Sequence, residues 1–145
     1  MKKRILVLNG PNLNLLGKRE PKIYGTTTLE EVNKQMLQIA EEKNLELTFF
    51  QSNHEGELID HIHDAMGNFD GIIMNPGAFT HYSYAISDAI AAVQIPLIEV
   101  HISNIYQRET FRQHSVIAPV SIGQISGLGV FGYIAAIYFF ADFYK

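Results

Sequence analysis

The sequence predicts a doubly wound α/β fold, a five-stranded parallel sheet with helices on both faces. Three observations lead there. Short, nearly continuous apolar runs alternate with amphipathic helical patterns along the whole chain, the mark of a parallel sheet covered on both sides. No linker, repeat or shift in composition divides the 145 residues, so 1–145 reads as a single domain. The carboxyl ends of the apolar runs turn polar: Asn9 with Asn12, Gln51-Ser52-Asn53-His54, Asn75-Pro76-Gly77, and His101 with Ser103-Asn104. The size suits the flavodoxin-like strand order 2-1-3-4-5, which places a ligand at those ends, near the topological switch point.

Strand one is Arg4–Leu8. The connection from Asn9 to Gly25 far exceeds the about two to six residues usual in α/β units, so it reads as a binding loop or lid. Gly17 and Gly25 bracket its charged part, 17–25, and supply the backbone freedom for that segment to swing. Thr28-Leu29-Glu30-Glu31 is a capping box. It opens a helix with Leu29, Val32, Met36, Ile39 and Ala40 at helical spacing, ending at Asn44. Leu45–Phe50 is strand two, and the helix Gly56–Met66 buries Leu58, Ile59, Ile62 and Met66. Gly71–Met74 is strand three, and the helix Tyr82–Val93 turns Ile86, Ala89, Ile90 and Val93 to one face. Strand four is Leu97–Val100. A short helix is expected near Ile105–Arg112, strand five near Val116–Val120, and an apolar helix at the end.

The last stretch raises a membrane span, since no residue from Ser115 to Ala141 carries a formal charge. A span needs about 20 apolar residues. Pro119, Ser121, Gln124 and Ser126 interrupt this one, so a strand followed by a helix buried at a subunit interface is expected. The whole chain is 47% hydrophobic and 18% charged, a globular composition. A net charge of −4 leaves no nucleic-acid footprint. Absence of cysteine excludes disulfides and thiolate chemistry and is compatible with a reducing compartment. The basic start, Met1-Lys2-Lys3-Arg4, precedes an apolar run too short for a signal peptide, so a cytoplasmic protein is expected.

Three constellations could carry chemistry. In Leu97-Ile98-Glu99-Val100-His101 the acid and the imidazole are two apart, on one face of a strand. That is the arrangement of a general acid or base, or of an ion pair kept for structure. Basic residues gather at the expected mouth: Lys18, Arg19 and Lys22 in the lid, Arg108 and Arg112 a helical turn apart after strand four, and none between Lys43 and Arg108. In an acidic protein this suggests a small anionic ligand held through paired N–H donors. Tyr24 with Arg19 is the sharpest pair, because a guanidinium beside a phenol in a water-poor site favours the phenolate, a base. His61 and His63 lie two apart on a helix and do not face each other, a poor metal site. No phosphate-loop glycine motif follows strand one, and the lysine distribution offers no buried Schiff-base former.

In order along the chain stand I-L-V-L-N-G-P-N-L-N-L-L-G, R-E-P-x-I-Y-G, Q-S-N-H-E-G, N-P-G-A-F-T-H-Y-S-Y-A-I-S-D-A, E-V-H-I-S-N, R-E-T-F-R-Q-H-S and G-Q-I-S-G-L-G. This set closely resembles type II 3-dehydroquinate dehydratase over nearly the whole chain. The resemblance implies dehydration of 3-dehydroquinate to 3-dehydroshikimate, a shikimate-pathway step towards aromatic amino acids, through an enolate and with no metal or organic cofactor. It implies Tyr24 as the base, a water near Asn12 stabilising the enolate, and Arg19 favouring the ionised Tyr24. His101, supported by Glu99, would protonate the departing hydroxyl. Asn75, His81 and Arg112 match positions that bind the substrate's hydroxyls and ring, and Ile102 and Ser103 match its carboxylate anchor. Asp88 matches a residue reaching the neighbouring subunit's site, and the assembly implied is a dodecamer of four trimers. A small-molecule binding module on the same sheet remains the rival reading: it would keep Asn75 and Arg112 without requiring Tyr24.

Overall fold

The parallel ladder is built on β1 (Lys3–Asn9), whose alternating side chains serve both cores. The structure is a computed structural model that describes Met1–Lys145. Ile5 and Val7 point to one face, where α2 (Leu29–Glu42) and α5 (Phe131–Phe143) cover the sheet. Leu6 and Leu8 point to the other, under α3 (Glu55–Asp64) and α4 (Tyr84–Val93). β1 lies between β2 (Leu45–Gln51) and β3 (Gly71–Asn75), and β4 (Leu97–His101) and β5 (Gly123–Ser126) complete the order β2-β1-β3-β4-β5. All pairings are parallel, and Asn9 aligns with both Gln51 and Asn75. The polar ends therefore form one rim. The expected fold class and strand order hold.

Local chemistry explains the elements. The Thr28 hydroxyl accepts from the Glu31 N–H while the Glu31 carboxylate accepts from the Thr28 N–H, closing the capping box that starts α2. The loop after β1 contains α1, a single turn at Pro21–Tyr24 with proline in its first turn and Gly25 after it. At Gly17, φ is +88° and a Cβ would come within 2.7 Å of the Thr26 carbonyl, so only glycine fits.

Three expectations are corrected. Strand five is Gly123–Ser126, not Val116–Val120. Proline lacks an N–H for a ladder, and Pro119 sits in a 3₁₀ turn, Ala118–Val120. Val116 and Ile117 are apolar because they pack in the α3/α4 core, not because they pair. The short helix over Ile105–Arg112 is instead two 3₁₀ turns, Ile105–Gln107 and Thr110–Arg112, separated by extended backbone at Arg108 and Glu109. The Gln113 side chain donates to the Arg108 carbonyl (2.9 Å), a side-chain bond that takes the place of a helical one. Met66, expected inside, lies beyond α3 and is exposed. No helix is long and apolar enough to cross a membrane.

Candidate active site

At the rim over β1, β3 and β4 lies a cavity of about 150 Å³, below the roughly 300–1,000 Å³ of drug-sized ligand pockets. Its lining is mostly polar and includes Asn12, Arg19, Tyr24, Asn75, His81, His101, Ile102, Ser103, Arg108 and Arg112. Nine of the residues expected at the site thus converge from four separate segments. The two exceptions are Glu99, which is fully buried behind His101, and Asp88, which is exposed on α4 and does not line this cavity.

Each segment is held in place by polar contacts. β2 anchors the turn after β1: Gln51 Nε2 donates to the Gly10 carbonyl (3.1 Å), and the Asn12 N–H donates to Asn53 Oδ1 (3.0 Å). Asn12 itself adopts a left-handed conformation, φ 70°, which asparagine tolerates. Gly10 passes so near Pro76 that a Cβ would lie 2.5 Å from its carbonyl oxygen.

His101 and Glu99 form the buried pair that period-two spacing requires. The His101 Nε2–H donates to Glu99 Oε2 at 2.5 Å, which leaves Nδ1 as the ring nitrogen available for proton transfer. Thr80 Oγ1 and Ser115 Oγ also donate to the carboxylate, and Gln124 Nε2 donates to Oε1 at 3.1 Å. Ser115 Oγ in turn accepts from the Ile117 and Ala118 N–H groups. Burial pushes the Glu99 pKa up. The hydrogen bond and charge of His101, with the two hydroxyls, outweigh it and hold the group below its ordinary 4.5. Glu99 is therefore an anion whose lone pairs are well occupied, the arrangement in which a buried carboxylate is tolerated.

Tyr24 is half-buried, and its hydroxyl accepts from Arg108 Nη1 at 2.8 Å. Arg19 stands over the ring instead, its guanidinium carbon 4.7 Å from the centroid, and pairs with Glu20 at 2.8 Å. Two cations thus flank the phenol, and the one on its oxygen is Arg108, which sequence reasoning left out of the catalytic set. Its signal was present: it ends the long stretch without Lys or Arg that begins after Lys43. Thr80, Ser115 and Gln124 carried no comparable signal.

His81 Nδ1 donates to the His114 carbonyl (2.8 Å), leaving Nε2 free. Burial, and the charges of His101 and Arg112, hold its pKa below the ordinary 6.5 against that hydrogen bond, so the ring is neutral at pH 7. Neither the Ile102 nor the Ser103 backbone N–H is used within the chain, and Ile102 is buried. Unused N–H groups lining a cavity form a ready anion site. No group of three or more His, Asp or Glu side chains is placed to hold a metal ion.

The arrangement gathers a phenol between two guanidinium groups, a His–Glu pair and two unused backbone N–H groups around one small cavity. The family model described as Dehydroquinase class II matches residues 3–141. The chain is 62% identical, over 95% of both chains, to a 3-dehydroquinate dehydratase of Bacillus licheniformis. Among solved structures it resembles the type II dehydroquinase of Propionibacterium acnes, with a TM-score of 0.94, 44% identity and 98% of both chains covered. The type II dehydroquinase of Butyrivibrio crossotus is similar too, with a TM-score of 0.93 and 54% identity over 95% of this chain and 97% of that one.

Proposed function

The chain belongs to the class II dehydroquinase family, and from that premise we propose how its cavity converts 3-dehydroquinate to 3-dehydroshikimate and water. The activity is that of a hydro-lyase. The observation that carries the mechanism is that the Tyr24 hydroxyl, bonded to Arg108, and the His101–Glu99 pair serve one cavity.

The substrate's carboxylate is taken by the Ile102 and Ser103 N–H groups and the Ser103 hydroxyl, while Asn75, His81 and Arg112 contact its hydroxyls and ring. Tyr24, as the phenolate, removes a proton from C2. The electron pair moves into the C3 carbonyl and gives an enolate, whose oxygen is stabilised through a water held near Asn12. Arg19 over the ring and Arg108 on the oxygen stabilise the charge on Tyr24 before the proton arrives. The enolate then collapses: the carbonyl re-forms, a C1–C2 double bond forms and the C1–O bond breaks. His101 gives the departing hydroxyl a proton, so it leaves as water, and the Glu99 anion supports the charged imidazole that this step needs. Tyr24 passes its proton to solvent and His101 regains one, so the cycle balances. The oligomer inferred is the trimer-based dodecamer, in which Asp88 would reach a neighbour's cavity.

The product is a conjugated enone and the substrate is not, so ultraviolet absorbance follows the reaction directly. A rising enone signal that persists under chelator and disappears in Tyr24→Phe, with ligand binding retained, supports the mechanism. Equal loss of binding and turnover in Tyr24→Phe would overturn the base assignment.

A further inference from the structure

Tyr133, on the apolar helix α5, is fully buried, yet its hydroxyl lies beneath the cavity between the ends of β1 and β3. It bonds to Asn75 Nδ2 at 2.9 Å and to Asn9 Oδ1 at 2.6 Å. Asn9 and Asn75 are register partners, the last residues of their strands. The directions of these bonds follow from one backbone group. The Gly77 N–H can only donate, and it lies 3.1 Å from the Asn75 side chain, so the atom facing it is Oδ1. The Asn75 NH₂ must then face Tyr133, whose oxygen accepts. The Tyr133 proton is thereby directed to Asn9, whose facing atom must be Oδ1. Burial in the α2/α5 core drives ionisation of Tyr133 far above its ordinary range, so this donor persists at any working pH.

We propose that Tyr133 is a positioning residue for the dehydration: its hydroxyl, held by Asn9, fixes the Asn75 amide so that the second Nδ2 hydrogen faces the substrate. That hydrogen donates to no group of the chain, and Asn75 lines the cavity. Without the Tyr133 oxygen only the Gly77 contact orients the amide. The inference rests on the reading of Asn75 as a substrate contact.

The test is steady-state kinetics with 3-dehydroquinate on the full chain carrying Tyr133→Phe, Asn75→Ala or both, with melting temperatures for each. Tyr133→Phe removes one oxygen and keeps the packed ring. It is expected to raise KM about fivefold to tenfold, the scale of one neutral hydrogen bond, with kcat within about twofold. In the Asn75→Ala background the same change is expected to leave KM nearly unmoved, although it still lowers the melting temperature. Asn9→Ala is expected to show a smaller KM rise that likewise vanishes without Asn75. A silent Tyr133→Phe beside an active Asn75→Ala, or the same KM factor in both backgrounds, would overturn the role of Tyr133. Wild-type KM in Asn75→Ala would instead remove Asn75 from the substrate's contacts and overturn the premise.

Discussion

Arg108 reaches the Tyr24 oxygen because the backbone is extended at Arg108 and Glu109, between two short turns. Had the segment been one helix, Arg108 and Arg112 would share a face, as their spacing suggests. The two arginines over Tyr24 differ in kind. Arg108 is largely buried and aims a donor at the phenol, whereas Arg19 is more exposed and shares its charge with Glu20. Arg108→Ala is expected to lower kcat about a hundredfold or more, and Arg108→Lys to recover only part of that, since a single ammonium replaces a fork. Arg19→Ala should cost less at neutral pH. Stopped-flow and steady-state rates across pH check both, and an Arg19→Ala loss exceeding that of Arg108→Ala would reverse the assignment.

At the scale of elements, each long helix owes its start or its burial to features visible in its own residues. The Thr28 and Glu31 box is such a case, and Thr28→Ala should destabilise the protein by about 1 kcal/mol in chemical denaturation. α5 behaves differently. Phe140 is fully buried and its ring lies against Gly71 at the start of β3. Phe140→Ala should cost about 3–5 kcal/mol, and Gly71→Ala should also destabilise because a Cβ there would sit 2.7 Å from that ring. A stable Gly71→Ala protein would show that the ring can move aside. The apolar tail thus serves two ends: it packs the sheet and lifts one hydroxyl to the site.

For the molecule as a whole, acid is expected to act through groups whose pKa the fold lowers, among them Glu31 and Glu109 at the surface and two in the site. Burial holds His81 below 6.5, and Glu99, despite its burial, lies below 4.5 through its hydrogen-bond partners. In both cases the unfolded chain takes up its proton first as pH falls, so stability declines on acidification. The contribution of His81 is complete above pH 6.5 and fades as pH falls below it. That of Glu99 is complete above pH 4.5 and is lost as pH falls further. Urea midpoints across pH should show both phases, and Glu99→Gln should shrink the lower one, to which Glu31 and Glu109 also contribute. Phe131, Tyr138, Phe139 and Phe143 on α5, with Tyr82, Tyr84, Tyr106 and Phe111 elsewhere, are exposed aromatic side chains that an assembly would cover. Light scattering is expected to give a multiple of the 16.3 kDa chain mass, consistent with a trimer-based dodecamer, and a monomer would contradict it.

Local order alone determined much here. Alternating periods specified strands and helices, the polar strand ends marked the rim, and spacing two put Glu99 beside His101, because those relations are written within a few residues of chain. Strand five escaped because a buried turn at Val116 and Ile117 is as apolar as a strand, and only ladder pairing tells them apart. The partners Thr80, Ser115 and Gln124 around Glu99, the reach of Arg108 to Tyr24, and the link from Tyr133 to Asn9 and Asn75 were decided by tertiary structure. Each joins residues brought together only when the sheet closes and the helices dock, and hydrogen bonds between distant side chains leave no periodic trace in the sequence.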